Sequence, residues 1–216
     1  MRKLLIWGAM ATLLVAFVVI RHAPYTIAAA GTPSPLIVID PGHGGRDPGA
    51  IRGTIYEKSL TLAVGLKLGA LLQQKGIRVY YTRTQDTALS GTVVKDLTAR
   101  AHLANRLGAT LFVSIHVNAE PSGTMAGPLV YYTRSSFPSL QLATLVSQHL
   151  QSLGWPYRPP RPIRQWVLAA SQMPAINVEI GFLTHPQDTS HMLSSPYQSR
   201  LAYQIALGLT QYINRP

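Results

Sequence analysis

The chain has 216 residues, of which 47% are hydrophobic and only 12% are charged, and it contains no cysteine. This length favours one domain, and the hydrophobic fraction is high enough to bury a core, which excludes a disordered polycation. The absence of cysteine excludes disulfides, thiol catalysis and thiolate metal sites, so any metal must be held by His, Asp or Glu.

The net charge of +11 comes from a shortage of acids, because nineteen Lys and Arg residues stand against only eight Asp and Glu residues. The basic residues are scattered along the chain and form no basic tail. A positive surface suits an anionic partner such as a membrane, a nucleic acid or a cell-wall polymer, but charge alone does not choose among them.

The first thirty residues have the pattern of an export segment. Arg2 and Lys3 precede an apolar run over residues 4–20, and three alanines follow at residues 28–30. This order is typical of a signal peptide. A membrane anchor through residues 4–20 stays open as an alternative, because the seventeen-residue run is at the short limit of a membrane span. Either interpretation exports the rest of the chain, and residues 31–35 are predicted to be a linker.

The remainder, residues 36–216, alternates between apolar runs that predict strands and helical spacings of apolar residues. The predicted elements in chain order are strand 36–39, helix 57–75, strand 77–82, helix 97–107, strand 110–117, strand 129–133, helix 140–153, strand 166–169, strand 176–180 and helix 197–213. Strands separated by helices form mainly parallel sheets covered on both faces. The predicted fold class is therefore α/β, a single domain with a twisted, mainly parallel sheet of about six strands.

Three polar residues fall at or near the carboxyl ends of predicted strands, where open α/β sheets bind their ligands. His43 follows the first strand in a glycine-rich loop, His116 ends the third strand, and Glu179 lies in the last strand. A buried ionised Glu is costly unless it is paired or bound to a metal, so Glu179 is a candidate for chemistry.

Structural interpretations of the same residues stay open at this point. A lone His near a strand end is usually a hydrogen-bonded structural residue, and Glu179 could pair with an arginine. Glu57 follows Thr54 with the spacing of a capping box, and a carboxylate in the first turn also suits the helix dipole. From spacing alone, Glu57 is predicted to be a helix cap.

Taken together, these motifs resemble those of the zinc-dependent N-acetylmuramoyl-L-alanine amidases of the bacterial cell wall, the amidase type 3 family. Matching segments occur in the family's order at residues 38–50, 57–58, 82–86, 97–105, 114–119, 173–175 and 178–182. Each segment is weak evidence alone, but the ordered set is specific and spans nearly everything after the linker.

The resemblance implies that His43, Glu57 and His116 hold one zinc ion and that Glu179 is the catalytic carboxylate. It also implies hydrolysis, by a zinc-activated water, of the amide bond between N-acetylmuramic acid and L-alanine in peptidoglycan. Two imidazoles and one carboxylate are a common catalytic zinc set, which leaves a fourth position for water. Glu179 would take a proton from that water and pass it to the leaving amine.

Residues next to these motifs are expected to support the site. Asp40 is expected to orient a ligand imidazole and Asn118 to contact substrate. The chain departs from the family's pattern at His185, where Asn is frequent, and at Leu168 and Ala169, where a Leu-Arg pair is frequent. His185 is expected at the rim of the site.

Two loops bear on access and on substrate binding. Some family members carry a long insertion with a helix that blocks the site until a partner removes it. Here only the short stretch 120–127 follows the His116 strand, so we expect an open site. The sequence contains no motif that identifies an activating protein partner. In the proline-rich stretch 156–164, three arginines either bind stem-peptide carboxylates or belong to a solvated rigid loop: Arg158, Arg161 and Arg164.

Three other functions compete with a peptidoglycan amidase. A zinc peptidase of different specificity stays open, because the same metal set cleaves many amides. A non-catalytic wall-binding domain is disfavoured by the intact set of candidate ligands and Glu179. Nucleic-acid binding is supported by charge alone and is opposed by the export segment. The preferred prediction is an exported enzyme of the periplasmic or extracellular cell-wall space.

Overall fold

The structure, a computed structural model, describes residues 34–215. The predicted export segment lies outside the described residues. Within residues 34–215, no helix combines the length and the apolar character needed to cross a membrane.

One sheet forms the centre of the fold, built from β1 (Leu36–Pro41), β4 (Arg78–Tyr81), β5 (Leu111–Asn118), β6 (Leu129–Tyr132), β7 (Arg161–Pro162) and β8 (Ala175–Phe182). Its strand order is β4-β1-β5-β8-β6-β7. Strands β4, β1, β5 and β8 pair in parallel, whereas β6 is antiparallel to β8 and parallel to β7. A small hairpin of β2 (Ile51–Arg52) and β3 (Ile55–Tyr56) lies apart from this sheet. The predicted six-stranded, mainly parallel sheet is confirmed.

The helices cover the sheet unequally on its two faces. They are α1 (Glu57–Gln74), α2 (Val93–Arg106), α3 (Phe137–Leu150), α4 (Trp166–Ala169), α5 (Pro186–Leu193) and α6 (Ser195–Ile213), with a 3-10 turn at Gln151–Leu153. Apolar residues of α1, α3 and α6 form the main core with one sheet face. On the other face α2 and α4 pack only against Val38, Phe112 and Ala175, near the amino-terminal ends of their strands.

Toward the carboxyl ends of its strands, that second face carries polar side chains. Side chains alternate along a strand, so every second residue after Val38, Phe112 and Ala175 lies on this face. These residues are Asp40 in β1, Ser114 and His116 in β5, and Asn177 and Glu179 in β8. The register pairs Asp40 with Ser114, Ser114 with Asn177, and His116 with Glu179. Strand pairing thus aligns the candidate residues of β5 and β8 before any side-chain contact is considered.

One predicted element is wrong, and several short elements were missing from the prediction. The strand predicted over residues 166–169 is wrong, because these residues form helix α4, whose Val167 and Leu168 are buried while Trp166 is exposed. A run of four apolar residues cannot distinguish a strand from one helical turn by its period. The predicted elements also did not include helix α5, strand β7 or the hairpin of β2 and β3.

The contact between α3 and α6 depends on Gly208, and this generates a stability prediction. A Cβ added at Gly208 would lie 2.7 Å from the Val146 Cα, closer than packed atoms approach. Although alanine is the better helix former by about 1 kcal/mol, we expect Gly208→Ala to lower the free energy of unfolding by about 1–3 kcal/mol through overpacking. Urea denaturation measures this change.

The matched control is Ser199→Ala, an exposed position of the same helix, whose effect should stay within about 0.5 kcal/mol. A Gly208→Ala protein as stable as the wild type would contradict the close packing of α3 on α6.

Candidate metal centre and active site

Three side chains from different elements converge at the carboxyl end of the sheet. His43 comes from the loop after β1, Glu57 is the first residue of α1, and His116 belongs to β5. One nitrogen or oxygen atom from each residue lies within 4.8 Å of the other two. The Glu57 Oε1 atom is 3.1 Å from the His43 Nε2 and 3.1 Å from the His116 Nδ1. Two ring nitrogens and a carboxylate oxygen in this arrangement could hold a metal ion.

The carboxylate of Glu57 is held in place by backbone groups. Its Oε2 accepts the N–H of Ala50 at 2.8 Å, and its Oε1 accepts the N–H of Val117 at 2.8 Å. The capping-box prediction is wrong, because Tyr56 is the N-cap of α1 and no side chain caps that end. Glu57 is therefore the first helical residue, and its side chain bridges the loop before the helix and β5.

Hydrogen bonds between these side chains shift the pKa values of His43 and Glu57. Burial lowers the pKa of His43, but its hydrogen bonds to Glu57 and Asp47 outweigh burial and raise that pKa to about 9. Burial raises the pKa of Glu57, but hydrogen bonds from His116 and His43 outweigh burial and hold it well below its usual range. Glu57 is therefore ionised at neutral pH, which is the state that binds a cation.

Asp47 orients the His43 ring. Its Oδ2 is 2.8 Å from the His43 Nδ1, which leaves the Nε2 on the side of Glu57. Sequence reasoning assigned this role to Asp40, and that assignment is wrong. The carboxylate of Asp40 is occupied by hydrogen bonds from three other side chains, those of Thr82, Ser114 and Arg100.

Two buried arginines hold the loop that carries His43. Arg100, only 1% exposed, donates to the carbonyls of Pro41 at 2.9 Å and His43 at 2.7 Å. Arg83 donates to the carbonyls of Pro41 and Gly42, both at 2.9 Å. His43 has a φ of 62°, which non-glycine residues rarely adopt, and these hydrogen bonds stabilise the backbone around it. The sequence showed both arginines only as parts of matching segments.

Two glycines leave room for the converging side chains. A Cβ at Gly42 would overlap the ring of His116. A Cβ at Gly49 would lie 2.6 Å from the Glu57 Oε2 and 2.7 Å from the His43 Cδ2, and Gly49 also has a φ of 66°. A larger residue at either position would push a candidate ligand away.

Glu179 lies next to His116 across the β5–β8 pairing and is buried. Its Oε1 accepts a hydrogen bond of 3.0 Å from the Asn177 Nδ2, whereas its Oε2 has no hydrogen-bond partner in the described structure. Burial raises the pKa of Glu179 to about 7. Among residues 34–215 no arginine forms an ion pair with it, so the alternative that Glu179 is an arginine partner finds no support.

The remaining predicted residues have separate environments. His185 is the N-cap of α5, where its Nδ1 accepts the N–H of Asp188 at 3.5 Å. Asn118 is 3.5 Å from the Tyr131 hydroxyl. The rim role of His185 and the substrate contact of Asn118 stay predictions.

The described part of the chain leaves the group open to solvent. The His43 side chain is 22% exposed and that of His116 is 19% exposed. The short stretch 120–127 therefore does not seal off either imidazole.

A sequence model of the N-acetylmuramoyl-L-alanine amidase family matches residues 37–211, a range that contains His43, Glu57, His116 and Glu179. The chain belongs to this family. The resemblance deduced from the ordered motifs is thereby confirmed.

Individual relatives agree with the family assignment. The chain is 31% identical over 199 residues to the germination-specific N-acetylmuramoyl-L-alanine amidase of Bacillus subtilis, covering 88% of this chain and 83% of the relative. The crystal structure of an N-acetylmuramoyl-L-alanine amidase from Clostridium difficile 630 matches with a TM-score of 0.79 and 37% identity, covering 85% of this chain and 98% of that one. The CwlD amidase from Clostridioides difficile, solved in complex with the GerS lipoprotein, matches with a TM-score of 0.79 and 27% identity, covering 83% and 98%.

The space at Gly42 generates a prediction about metal binding. Because a methyl group there would displace the His116 ring, we expect Gly42→Ala to bind a divalent metal ion roughly 10- to 100-fold more weakly than the wild type. Competition with a chromophoric chelator measures the affinity, and circular dichroism checks that the variant folds.

Gly91→Ala is the matched control, since a Cβ at Gly91 meets no atom within 4 Å. It should bind the metal as the wild type does. A folded Gly42→Ala protein with unchanged affinity would show that His116 is not a ligand.

Proposed function

We propose that this protein hydrolyses the amide bond between N-acetylmuramic acid and L-alanine in peptidoglycan. One zinc ion would be held by His43, Glu57 and His116, and Glu179 would be the catalytic carboxylate. Family membership supports the reaction. The observation that carries the residue assignment is the convergence of three ligand atoms beside a buried Glu179 with one unpartnered oxygen.

The donor set favours zinc over Mg²⁺ and Ca²⁺. Mg²⁺ and Ca²⁺ prefer sites made of oxygen atoms, whereas two imidazole nitrogens and one carboxylate are a familiar catalytic zinc set. The ligand atoms would be the His43 Nε2, the His116 Nδ1 and a Glu57 oxygen. When bound, zinc supplies a Lewis acid that polarises the scissile carbonyl and lowers the pKa of a water molecule toward about 7.

The protein's own groups set the proton positions. Asp47 would accept the proton on the His43 Nδ1, so the Nε2 would be the nitrogen that gives up its proton and binds the metal. Glu179, whose pKa burial raises to about 7, accepts a proton from the attacking water and donates it to the leaving L-alanine nitrogen. Asn177 fixes one oxygen of Glu179 and leaves the other for this transfer.

We also propose that the enzyme acts in the cell-wall space outside the cytoplasm. The pattern of residues 1–30 supports export, either as a cleaved signal peptide or as an anchor through residues 4–20. The polymer it cleaves lies in the same compartment.

The proposed role of Glu179 generates a test that separates catalysis from metal binding. We expect Glu179→Gln to keep one zinc ion per chain and to lose about 10²- to 10⁴-fold in the rate of wall hydrolysis, the usual contribution of a general acid–base. Zinc is measured by atomic emission, and hydrolysis by the appearance of free L-alanine amino groups on stem peptides released from purified peptidoglycan.

Glu120→Gln is the control, because Glu120 is a partly exposed loop residue whose carboxylate bonds only within its own loop. It should hydrolyse the wall at the wild-type rate. Full activity in Glu179→Gln would refute the catalytic role. Products cut inside the stem peptide by the wild type would indicate a zinc peptidase of another specificity.

A further inference from the structure

A large cavity lies at the edge of the central sheet, where β6 and β7 end. Its volume is about 970 Å³, which is in the range of ligand-binding sites, and its lining includes Arg134, Arg164, Gln165 and Trp166. The Trp166 side chain is 59% exposed, an unusual state for the largest apolar side chain. The cavity lies between the chain that follows β6 and the chain that joins β7 to α4.

The wall of this cavity is connected to the reaction centre by hydrogen bonds. The Asn177 Nδ2 donates to the Gln165 Oε1 at 3.2 Å and to the Glu179 Oε1 at 3.0 Å. Tyr131 pairs with Asn177 across β6 and β8 and therefore shares its sheet face. Two hydrogen bonds through Asn177 therefore separate the cavity wall at Gln165 from Glu179.

The cavity is positively charged. Arg134 and Arg164 both line it, and its lining contains no carboxylate. Across residues 34–215 no Asp or Glu forms an ion pair with either guanidinium. Two arginines without intramolecular acidic partners favour an anionic ligand.

The chemistry of the proposed substrate then decides which half enters the cavity. In a muramyl peptide the lactyl carboxyl group is consumed by the scissile amide, so the sugar half carries no charge there. The peptide half keeps carboxylates, at the least the one at its carboxyl terminus. Charge complementarity therefore favours the peptide half.

We infer that this cavity is the subsite for the stem peptide, in which Arg134 and Arg164 bind peptide carboxylates and Trp166 provides an apolar wall. The inference rests on the proposed function. It assigns substrate binding to only one arginine of the proline-rich stretch. Of the arginines in that stretch, only Arg164 lines the cavity, whereas Arg158 lies over the Phe182 ring, 5.9 Å from its centroid.

Binding of a synthetic stem peptide that begins with L-alanine tests this subsite without requiring catalysis. Two forms are compared by calorimetry, one with free carboxyl groups and one with every carboxyl group converted to the amide. We expect Arg164→Gln and Arg134→Gln each to bind the free-acid peptide roughly tenfold more weakly and the amidated peptide unchanged. Arg106→Gln removes an exposed arginine at the far end of α2 and serves as the control for net charge.

The outcomes separate this inference from the proposed function. Equal weakening for both peptides, no weakening, or the same weakening in Arg106→Gln would overturn the subsite. Selective weakening supports it, whether or not the wild type cleaves the wall. If the wild type fails to cleave but still binds the free-acid peptide through Arg164, the proposed function fails and the anionic-peptide subsite stands.

Discussion

The buried guanidinium groups of Arg83 and Arg100 are the constraint on which the site depends. Between β1 and His43 the chain leaves the sheet, and its carbonyls at Pro41, Gly42 and His43 find donors in these two side chains. Asp40 balances the charge of Arg100 at 2.7 Å. Removing one partner of such a buried pair costs about 3–5 kcal/mol, because the other charge is left unpaired. The loop can therefore hold His43 at a positive φ that an unsupported chain would avoid.

The scarcity of acids gains a structural meaning from this arrangement. Asp47 and Glu57 contact imidazoles, Glu179 lies beside His116, and three further carboxylates pair with basic side chains around the same loop: Asp40 and Asp96 with Arg100, and Asp86 with Lys58. Six of the eight acids thus belong to the site or to its support. The other two acids are too few to pair with the arginines and lysines elsewhere in the chain.

Long elements could be predicted from the sequence. The buried strand β5 has a mostly apolar run, and the helix α6 has a helical spacing of apolar residues. Short elements could not, because the four residues of α4 carry too little periodicity. The candidate ligands could be selected from the sequence because ordered motifs mark them, and the structure brings these three residues together. The carboxylate that supports His43 could not be predicted, because Asp40 and Asp47 are both near His43 in sequence. Only the fold shows that Asp47 reaches the ring. Glu57 looked like a cap because a helix start and a metal ligand both favour a carboxylate.

The central claim is that His43, Glu57 and His116 bind one zinc ion beside Glu179. Anomalous diffraction from crystals of the zinc-loaded protein, recorded above and below the zinc edge, tests it most directly. We expect one peak within bonding distance, about 2.0–2.2 Å, of the His43 Nε2, the His116 Nδ1 and a Glu57 oxygen. Glu179 should lie outside the coordination shell. A peak elsewhere, or Glu179 bound to the metal in place of Glu57, would contradict it.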